Sequence, residues 1–336
     1  MDSEHIVERF RRTSLPALES ESAVAPDYGG ASIVAVPRLL EAAFGEACDL
    51  PEEIAQAWSA VGSGPVRRVV LLILDGLGFL RLRAAMDEVP DLYLAKLARR
   101  GKLVPLTSVF PSTTASALAT LSTGVTPCEH GLLGYRLYLR ETGAVTNMVR
   151  FSLHGNPRPE AAFEMGLDSD RFLEAETVYQ RLEPRGVRCH VVLPRYIAGS
   201  GLSRLLYRGV TKIHAASTFS DLLVSARELF AAPDKQMITL YWGSLDAVAH
   251  AYGPSDERLT AELRALDACL RQQLAVQDGG ETLLLISSDH GMTDMTPSDY
   301  VDMSSLPTLH RALRIPPVGE PRATYLHLPE GRLADA

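Results

Sequence analysis

Between Glu281 and Gly291 the sequence is Glu-Thr-Leu-Leu-Leu-Ile-Ser-Ser-Asp-His-Gly. The apolar run from Leu283 to Ile286 predicts a buried strand of a parallel sheet, and the glycine predicts the turn that follows it. Asp289 and His290 then lie at the carboxyl end of that strand, where open α/β sheets bind their ligands. Burying a charged carboxylate there is costly unless a cation pairs with it. The segment therefore predicts an α/β fold with a cation-binding edge.

Two further apolar runs end in the same way. The strand-like segment from Val66 to Leu74 is followed by Asp75-Gly-Leu-Gly78. The run from Met237 to Trp242 is followed by Asp246-Ala-Val-Ala-His250, whose i, i+4 spacing places a carboxylate and an imidazole on one helix face. Parallel strands end at a shared edge, so we expect these side chains to meet there. Oxygen and nitrogen ligands without thiolates suit zinc or a similar first-row ion.

The remaining periodicity predicts an α/β alternation. Predicted helices cover Ile33–Phe44, Pro51–Ala60, Leu92–Arg100, Thr114–Ser122, Ser169–Glu183, Ser220–Phe230 and Ser255–Val276, and further strands cover Leu103–Phe110, Val187–Leu193 and Ala323–Leu328. This rhythm favours a mostly parallel central sheet with helices on both faces.

Two regions fall outside that rhythm. The first region is residues 1–64, a polar leader that we expect to pack on the core of the α/β domain. That domain is formed by residues 65–336. The segment from about 131 to 166 is rich in glycine, proline, arginine and aromatic residues, which predicts a cap-like insertion over the sheet edge. Its aromatic residues Tyr135, Tyr138 and Phe151 either contact a substrate or form the core of the cap, and the sequence favours neither.

Composition narrows the class of protein. Of 336 residues, 46% are hydrophobic and 22% are charged, as in soluble globular proteins, and no apolar run is long enough to span a membrane. The charged N-terminus has no signal-peptide core, and the four cysteines form no Cys-x-x-Cys, so a cytoplasmic location is expected. A net charge of −8 without a dense basic block disfavours a nucleic-acid duplex as partner. The oligomeric state stays open.

Hydroxyl groups cluster at one predicted helix start. The segment Phe110-Pro-Ser-Thr-Thr-Ala-Ser-Ala-Leu-Ala-Thr-Leu-Ser-Thr-Gly124 places three of them where free N–H groups and the helix dipole attract phosphate. A hydroxyl is a poor nucleophile at neutral pH, but a bound metal lowers its pKa. Taken alone, the pattern favours an ordinary Ser/Thr N-cap, and only the predicted metal ligands favour a nucleophile.

Four segments together resemble the nucleotide pyrophosphatase/phosphodiesterase (type I phosphodiesterase) family of the alkaline phosphatase superfamily. In the family's order they are Leu74-Asp-Gly-Leu-Gly78, Pro111-Ser-Thr-Thr114 with Ser122-Thr-Gly124 and Glu129-His-Gly131, Asp246-Ala-Val-Ala-His250, and Ser288-Asp-His-Gly291. The resemblance covers the chain from about residue 65 to about residue 330. It implies an alkaline phosphatase-like fold and a site with two divalent ions, zinc or alternatively manganese.

The resemblance also implies roles for individual residues. One ion would lie among Asp75, Thr114, Asp289 and His290, and the other would be held by Asp246, His250 and a further histidine. A match without gaps places the nucleophile on Thr114 rather than on its neighbour Thr113. The implied reaction is hydrolysis of a small phosphoester, with a nucleotide as one candidate, through a covalent phospho-threonine.

Two departures from the family pattern leave alternatives open. Where the family's phosphodiesterases usually carry an asparagine three residues after the nucleophile, this chain has Ala117. The last histidine ligand lacks its usual His-Gly context, which leaves His310, His327 or a residue beyond the chain end. A phosphomonoesterase, a phosphonate hydrolase and a non-catalytic metal or nucleotide binding protein are therefore the alternatives. No Cys-x-Pro-x-Arg segment supports a sulfatase, and a threonine nucleophile disfavours a phosphoglycerate mutase.

Overall fold

A parallel sheet lies at the centre of the molecule. The structure is a computed structural model that describes residues 3–12, 24–62, 64–274 and 280–333. Its strands are β1 (Arg68–Leu74), β2 (Arg136–Leu139), β3 (Ala144–Asn147), β4 (Val187–Pro194), β5 (Lys212–Ala216), β6 (Lys235–Trp242), β7 (Thr282–Ser287), β8 (Val318–Glu320) and β9 (Ala323–Tyr325). The described part of the central sheet has the order β5-β4-β6-β1-β7, and all its neighbouring strands pair in parallel.

Helices connect these strands along the chain. They are α1 (Ser3–Arg12), α2 (Val36–Ala43), α3 (Glu52–Ala60), α4 (Phe79–Glu88), α5 (Tyr93–Arg100), α6 (Thr114–Thr123), α7 (Pro127–His130), α8 (Ala161–Glu164), α9 (Ser169–Phe172), α10 (Val178–Leu182), α11 (Gly201–Leu206), α12 (Phe219–Leu229), α13 (Ser244–Tyr252), α14 (Glu257–Gln273) and α15 (Pro307–Ala312). Short 3-10 turns cover Ile33–Ala35, Glu183–Arg185, Pro297–Asp299 and Met303–Ser305. Among the described residues, no helix is both long and apolar enough to cross a membrane.

Strand β1 shows how the layers form. All seven of its residues are buried, because successive side chains point to opposite faces and both faces are covered. Val69, Leu71 and Ile73 pack with residues of α2, α6 and α10, whereas Val70 and Leu72 pack with residues of α5, α12 and α14. The predicted fold class, a parallel sheet with helices on both faces, is confirmed.

Three predicted elements differ from the structure. The apolar run Leu283–Ile286, predicted to be a buried strand, lies in β7, whose residues are only partly buried because β7 is the edge strand of the described sheet. The predicted strand Leu103–Phe110 is irregular apart from one bridge between Thr107 and Ser32. The Thr107 side chain accepts the Asp27 N–H, and its backbone pairs with Ala31 and Ile33, so the segment is tied to a loop instead of a sheet. The predicted helix Ser169–Glu183 is two helices, α9 and α10, because Thr177 and Gln180 form a capping box that starts the second one.

A second sheet joins distant parts of the chain. It has the order β3-β2-β8-β9, with antiparallel pairing throughout. Strands β2 and β3 belong to the segment that the sequence marks as an insertion, whereas β8 and β9 come from the C-terminal part. Phe151 is fully buried and stacks on Phe163 at 4.7 Å, while Tyr135 and Tyr138 are exposed. The insertion is therefore anchored to the segment that follows the central sheet.

The N-terminal residues contact the rest of the molecule. The 3-10 turn and α2 contribute Ile33, Val34 and Leu40 to the core on one face of the central sheet. In α1, Arg9 forms ion pairs with Asp27, at 2.9 Å, and with Glu53.

Candidate metal centre

Backbone pairing places the ends of three neighbouring strands together. Asp75 follows β1, and its N–H donates to the Trp242 carbonyl at 3.0 Å, which continues the ladder between β1 and β6. The loop after β1 also approaches the residues that follow β7, since a Cβ on Gly78 would lie 2.8 Å from the Gly291 Cα. Only glycine allows two backbones to come this close. The Asp-Gly-Leu-Gly segment thus presses the Asp75 loop against Asp289 and His290.

Asp75, Asp289 and His290 form a buried cluster whose ligand atoms lie within 4.8 Å of one another. We call these three residues the buried cluster. The His290 Nε2 atom lies 3.4 Å from Asp75 Oδ1 and 3.5 Å from Asp289 Oδ2. Nitrogen and oxygen ligands of a tetrahedral zinc ion, each about 2.0–2.1 Å from the metal, are about 3.3 Å apart. The spacing of the cluster is therefore that of a metal ligand set.

The tautomer of the His290 imidazole also suits metal binding. Its Nδ1 lies 3.1 Å from the Gly291 carbonyl oxygen, which can only accept a hydrogen bond, so Nδ1 carries the proton and donates it. The lone pair is then on Nε2, the atom that faces the two carboxylates. A backbone carbonyl that fixes the tautomer in this way is the usual arrangement for a metal-ligating histidine.

The carboxylates of the buried cluster lack partners on the side facing Nε2. Asp75 Oδ1 and Asp289 Oδ2 are buried and accept no hydrogen bond, whereas Asp289 Oδ1 accepts the N–H groups of Gly76 and His290. Burial raises the pKa of Asp289 to about 6. Burial also raises the pKa of Asp75 well above its usual range, and the neighbouring Asp289 charge adds to that effect. A divalent cation would remove this electrostatic cost, so the residues present fit the metal that the resemblance implies.

Thr114 joins the cluster from another element. It is the first residue of α6, and its Oγ1 lies 3.3 Å from His290 Nε2. The helix behind it is held firmly, because every residue from Ala115 to Thr123 is buried. Thr113 is the N-cap in extended conformation but makes no side-chain capping bond. Of the two adjacent threonines, the structure thus places Thr114 against the buried cluster.

The remaining predicted ligands form a separate pair. Asp246 and His250 lie one turn apart on α13, with His250 Nε2 3.4 Å from Asp246 Oδ1. We call them the helix pair. The backbone of Asp246 is close to the Asp75 loop, since a Cβ on Gly76 would lie 3.0 Å from the Asp246 Cα. Asp246 Oδ1 is buried without a hydrogen-bond partner, whereas the His250 side chain is 69% exposed.

Neither histidine proposed as the last ligand completes this pair. Within the described ranges, the buried cluster is the one group of three or more potential ligands that lie close together. His310 lies in α15, and the His327 ring lies 5.9 Å from that of Tyr138. His130 is a structural residue: its Nδ1 accepts the Leu132 N–H, so Nε2 donates to the hydroxyl of Thr120.

Three residues near the cluster were missed in the sequence. The Tyr241 hydroxyl donates to Asp75 Oδ2, and the Glu320 side chain is half-buried, hydrogen-bonded to Thr113 and in electrostatic contact with His290. Tyr196, in the loop after β4, interacts electrostatically with Asp75 and Asp246. A signal existed for Tyr241, because it is the next-to-last residue of an apolar strand and lies five residues before Asp246. No pattern marks Glu320, since its position depends on the pairing of β8 with β2.

The fold and the buried cluster beside a helix N-terminus are those that the resemblance to the alkaline phosphatase superfamily implies. A profile of one family in that superfamily, type I phosphodiesterase / nucleotide pyrophosphatase, matches residues 69–328. The match covers more than half of the chain, and the chain belongs to this family.

Individual relatives agree with this assignment. Human ectonucleotide pyrophosphatase/phosphodiesterase family member 7 is 34% identical over 84 residues, which cover 23% of this chain and 18% of that protein. The chain thus matches less than a fifth of the length of this curated relative.

Solved structures show the same fold. Murine ectonucleotide pyrophosphatase/phosphodiesterase 5 superposes with a TM-score of 0.59 at 18% identity, over 80% of this chain and 68% of that one. An inactive threonine-to-alanine form of the murine protein was solved with AMP and superposes with a TM-score of 0.58 at 17% identity, over 80% of this chain and 67% of that one. Phosphonoacetate hydrolase from Sinorhizobium meliloti 1021, in complex with phosphonoacetate, gives 0.57 at 22% identity, over 79% and 70% of the two chains.

Proposed function

We propose that this chain is a metal-dependent phosphodiesterase that hydrolyses small phosphoesters through a covalent phospho-threonine on Thr114. The observation that carries the proposal is the position of the Thr114 hydroxyl, which lies at the start of a buried helix and 3.3 Å from the Nε2 atom of the buried cluster. A hydroxyl at this point is next to both a ligand set for a cation and a helix terminus suited to phosphate.

Two divalent ions, zinc or alternatively manganese, are proposed to bind here. The buried cluster and Thr114 would hold one, and the helix pair would hold the other together with a further ligand. When bound, such ions lower the pKa of a coordinated hydroxyl and neutralise charge on attacking and leaving oxygens. The nitrogen and oxygen donor set is typical for either metal.

The residues of the chain then have the following tasks. The free N–H groups of the first turn of α6 donate hydrogen bonds to the phosphoryl oxygens and so orient them. Ala117 is fully buried in the core and has no side-chain donor to add to these groups. The Thr114 oxygen attacks phosphorus, an O–P bond forms, and the bond to the leaving alcohol breaks. The hydroxyl proton is released to solvent, and the departing alkoxide takes a proton from solvent to leave as the alcohol. Water then attacks the phospho-threonine: its oxygen bonds to phosphorus, one of its protons goes to the Thr114 oxygen as the O–P bond breaks, and the phosphate monoester is freed.

The substrate class is inferred from the relatives. The AMP bound to the threonine-to-alanine form of the murine protein supports a nucleotide ester as substrate. Phosphonoacetate in the bacterial neighbour, together with Ala117 at the position of the family's asparagine, supports phosphonate hydrolysis as a second candidate. Both reactions attack a tetrahedral phosphorus at the same place.

A pair of threonine variants tests the nucleophile. We expect Thr114→Ala to lower turnover of bis(p-nitrophenyl) phosphate by at least about a thousandfold with zinc or manganese added, while metal content stays nearly intact. Thr113→Ala is the matched control, because its side chain makes no capping bond, and it should retain most of the activity. Full activity of Thr114→Ala would refute the proposed nucleophile.

A substrate panel separates the candidates. Bis(p-nitrophenyl) phosphate, p-nitrophenyl phosphate and phosphonoacetate should be compared at equal metal loading. Preference for the diester supports the proposal, and preference for the monoester or for C–P cleavage assigns the alternative reaction. Binding of metal without turnover of any of the three would indicate a non-catalytic binding protein.

A further inference from the structure

Tyr241 makes a contact that its surroundings do not require. It lies in β6 opposite Ile73 of β1, is 7% exposed, and packs in the apolar core on one face of the central sheet. A phenylalanine would fill the same space. Its hydroxyl instead donates a hydrogen bond to Asp75 Oδ2, across the two central strands of the sheet.

That hydrogen bond divides the two oxygens of Asp75 between different tasks. Oδ2 accepts from Tyr241, whereas Oδ1 has no hydrogen-bond partner and lies 3.4 Å from His290 Nε2. A carboxylate on a short side chain can rotate about its terminal torsion, because that torsion has broad minima. With Oδ2 fixed by a rigid ring, the rotation stops where Oδ1 points at the imidazole nitrogen.

The backbone next to Tyr241 leaves room for this contact. A Cβ on Gly243 would lie 3.3 Å from the tyrosine hydroxyl and 3.8 Å from Asp75 Oδ2. Residue 243 thus borders the hydrogen bond directly, and a methyl group there would crowd the tyrosine hydroxyl while only touching Asp75 Oδ2. The glycine does not serve a left-handed turn, because its φ is −109°.

We propose that Tyr241 is a positioning residue that presets Asp75 for a divalent cation in the buried cluster, an inference that rests on the proposed metal-dependent function. The hydroxyl does not touch the metal or the substrate. It holds one carboxylate oxygen so that the other meets the ion without a loss of side-chain freedom on binding. Partners that orient metal ligands typically contribute about 10- to 100-fold to metal affinity.

The chain offers a matched control for the test. Tyr179 is 2% exposed, packs in the same apolar core, and its hydroxyl lies 3.0 Å from Thr239 Oγ1, within hydrogen-bonding distance. Tyr179→Phe and Tyr241→Phe therefore each delete one buried hydroxyl bond from the same core. We expect both to lower the melting temperature of the metal-free protein by a similar few degrees.

The deciding measurement is the dissociation constant for zinc, determined on the full chain by competition with a chromophoric chelator. Tyr241→Phe should weaken the tightest site by about 10- to 100-fold, and Tyr179→Phe should change it less than twofold. Equal effects of the two variants, or none, would overturn the positioning role. A wild-type chain that binds no zinc or manganese would instead overturn the proposed function itself.

A second variant keeps the test decisive if Tyr241→Phe does not fold. Gly243→Ala retains the hydroxyl but places a methyl group 3.3 Å from it. We expect this variant to weaken zinc binding by about 3- to 10-fold, less than deletion of the hydroxyl does. Unchanged zinc affinity in a folded Gly243→Ala protein would contradict the inference.

Discussion

The buried cluster and the helix pair differ in how the fold holds them. The side chains of Asp75, Asp289 and His290 are 3%, 0% and 7% exposed, whereas those of Asp246 and His250 are 20% and 69% exposed. The cluster follows two adjacent strands, so the register between β1 and β7 fixes the distances between its atoms. The pair depends on one helix, and within the described residues no third ligand approaches it.

The difference shows what each arrangement contributes. The ends of two paired strands form a rigid, dry ligand set, but two buried carboxylates without a cation repel each other. The helix pair costs less to leave empty, because water reaches the His250 imidazole and only one carboxylate oxygen, Asp246 Oδ1, is buried without a partner. We therefore expect the buried cluster to determine metal affinity and the stability of the metal-free protein, and the helix pair to have a smaller effect on both.

The largest expected effect is on metal binding by the buried cluster. Asp289→Asn keeps the shape of the side chain but removes the charge of a ligand whose Oδ2 has no hydrogen-bond partner. We expect the tightest zinc site to weaken by more than about a hundredfold. This is more than the loss expected when a residue that only orients a metal ligand is replaced. Asp87→Asn, an exposed change on α4, is the control. Metal affinity within threefold of wild type would show that the cluster is not the tight site.

The same substitution should stabilise the protein when metal is absent. Burial raises the pKa of Asp289 to about 6, above the unfolded value near 3.9, so the folded state binds more protons between these pH values. Stability of the wild type is then lost as pH rises from about 4 to about 6. Above pH 6, Asp289→Asn should be more stable by up to about 3 kcal/mol.

Urea denaturation with a chelator present measures this difference at several pH values. The advantage of the asparagine variant should disappear below about pH 3, where the wild-type carboxyl is protonated in both states. A variant that is less stable than the wild type at pH 7 would mean that other groups of the protein already stabilise the charge of the buried Asp289 carboxylate without metal.

The sequence predicts the buried cluster better than its surroundings. Apolar runs that end in Asp75 and in Asp289-His290 predict the shared edge, because neighbouring parallel strands end on the same side of a sheet. The burial of the second run was not predicted correctly, since β7 is only partly buried at the edge of the described sheet. The second sheet was not foreseen, since β2 and β8 are separated by most of the chain and each is only three or four residues long. Glu320 was missed for the same reason. Short strands carry little periodicity, and long-range pairing decides them.

A smaller effect is expected from the helix pair. His250→Ala removes an exposed imidazole, so the stability of the metal-free protein should change by less than about 0.5 kcal/mol. Metal titration should show the first ion bound as in the wild type and the second bound about tenfold more weakly, with turnover reduced accordingly. His154→Ala, elsewhere on the surface, is the control. Loss of the first ion in His250→Ala would contradict the division into two unequal half-sites.

The smallest effect concerns a residue that borders the buried cluster but not the helix pair. Glu320 reaches Thr113 because β8 approaches residue 134, where a Cβ on Gly134 would lie 2.9 Å from the Gly319 Cα. Its carboxylate thus lies beside the helix terminus that we propose binds phosphate, and like charges repel there. Glu320→Gln should lower KM for bis(p-nitrophenyl) phosphate by a few-fold, an effect of under about 1 kcal/mol that salt weakens.

Salt and a control variant distinguish this repulsion from a change in packing. Glu164→Gln removes an exposed carboxylate that pairs with Arg158 in the insertion, so it should leave KM unchanged. The difference between wild type and Glu320→Gln should shrink as ionic strength rises towards 1 M, where charges more than about 3 Å apart are screened. A salt-independent difference, or a higher KM in Glu320→Gln, would show that Glu320 holds Thr113 and the start of α6 in place. Its contribution would then be structural, like that of the strand register that fixes the buried cluster.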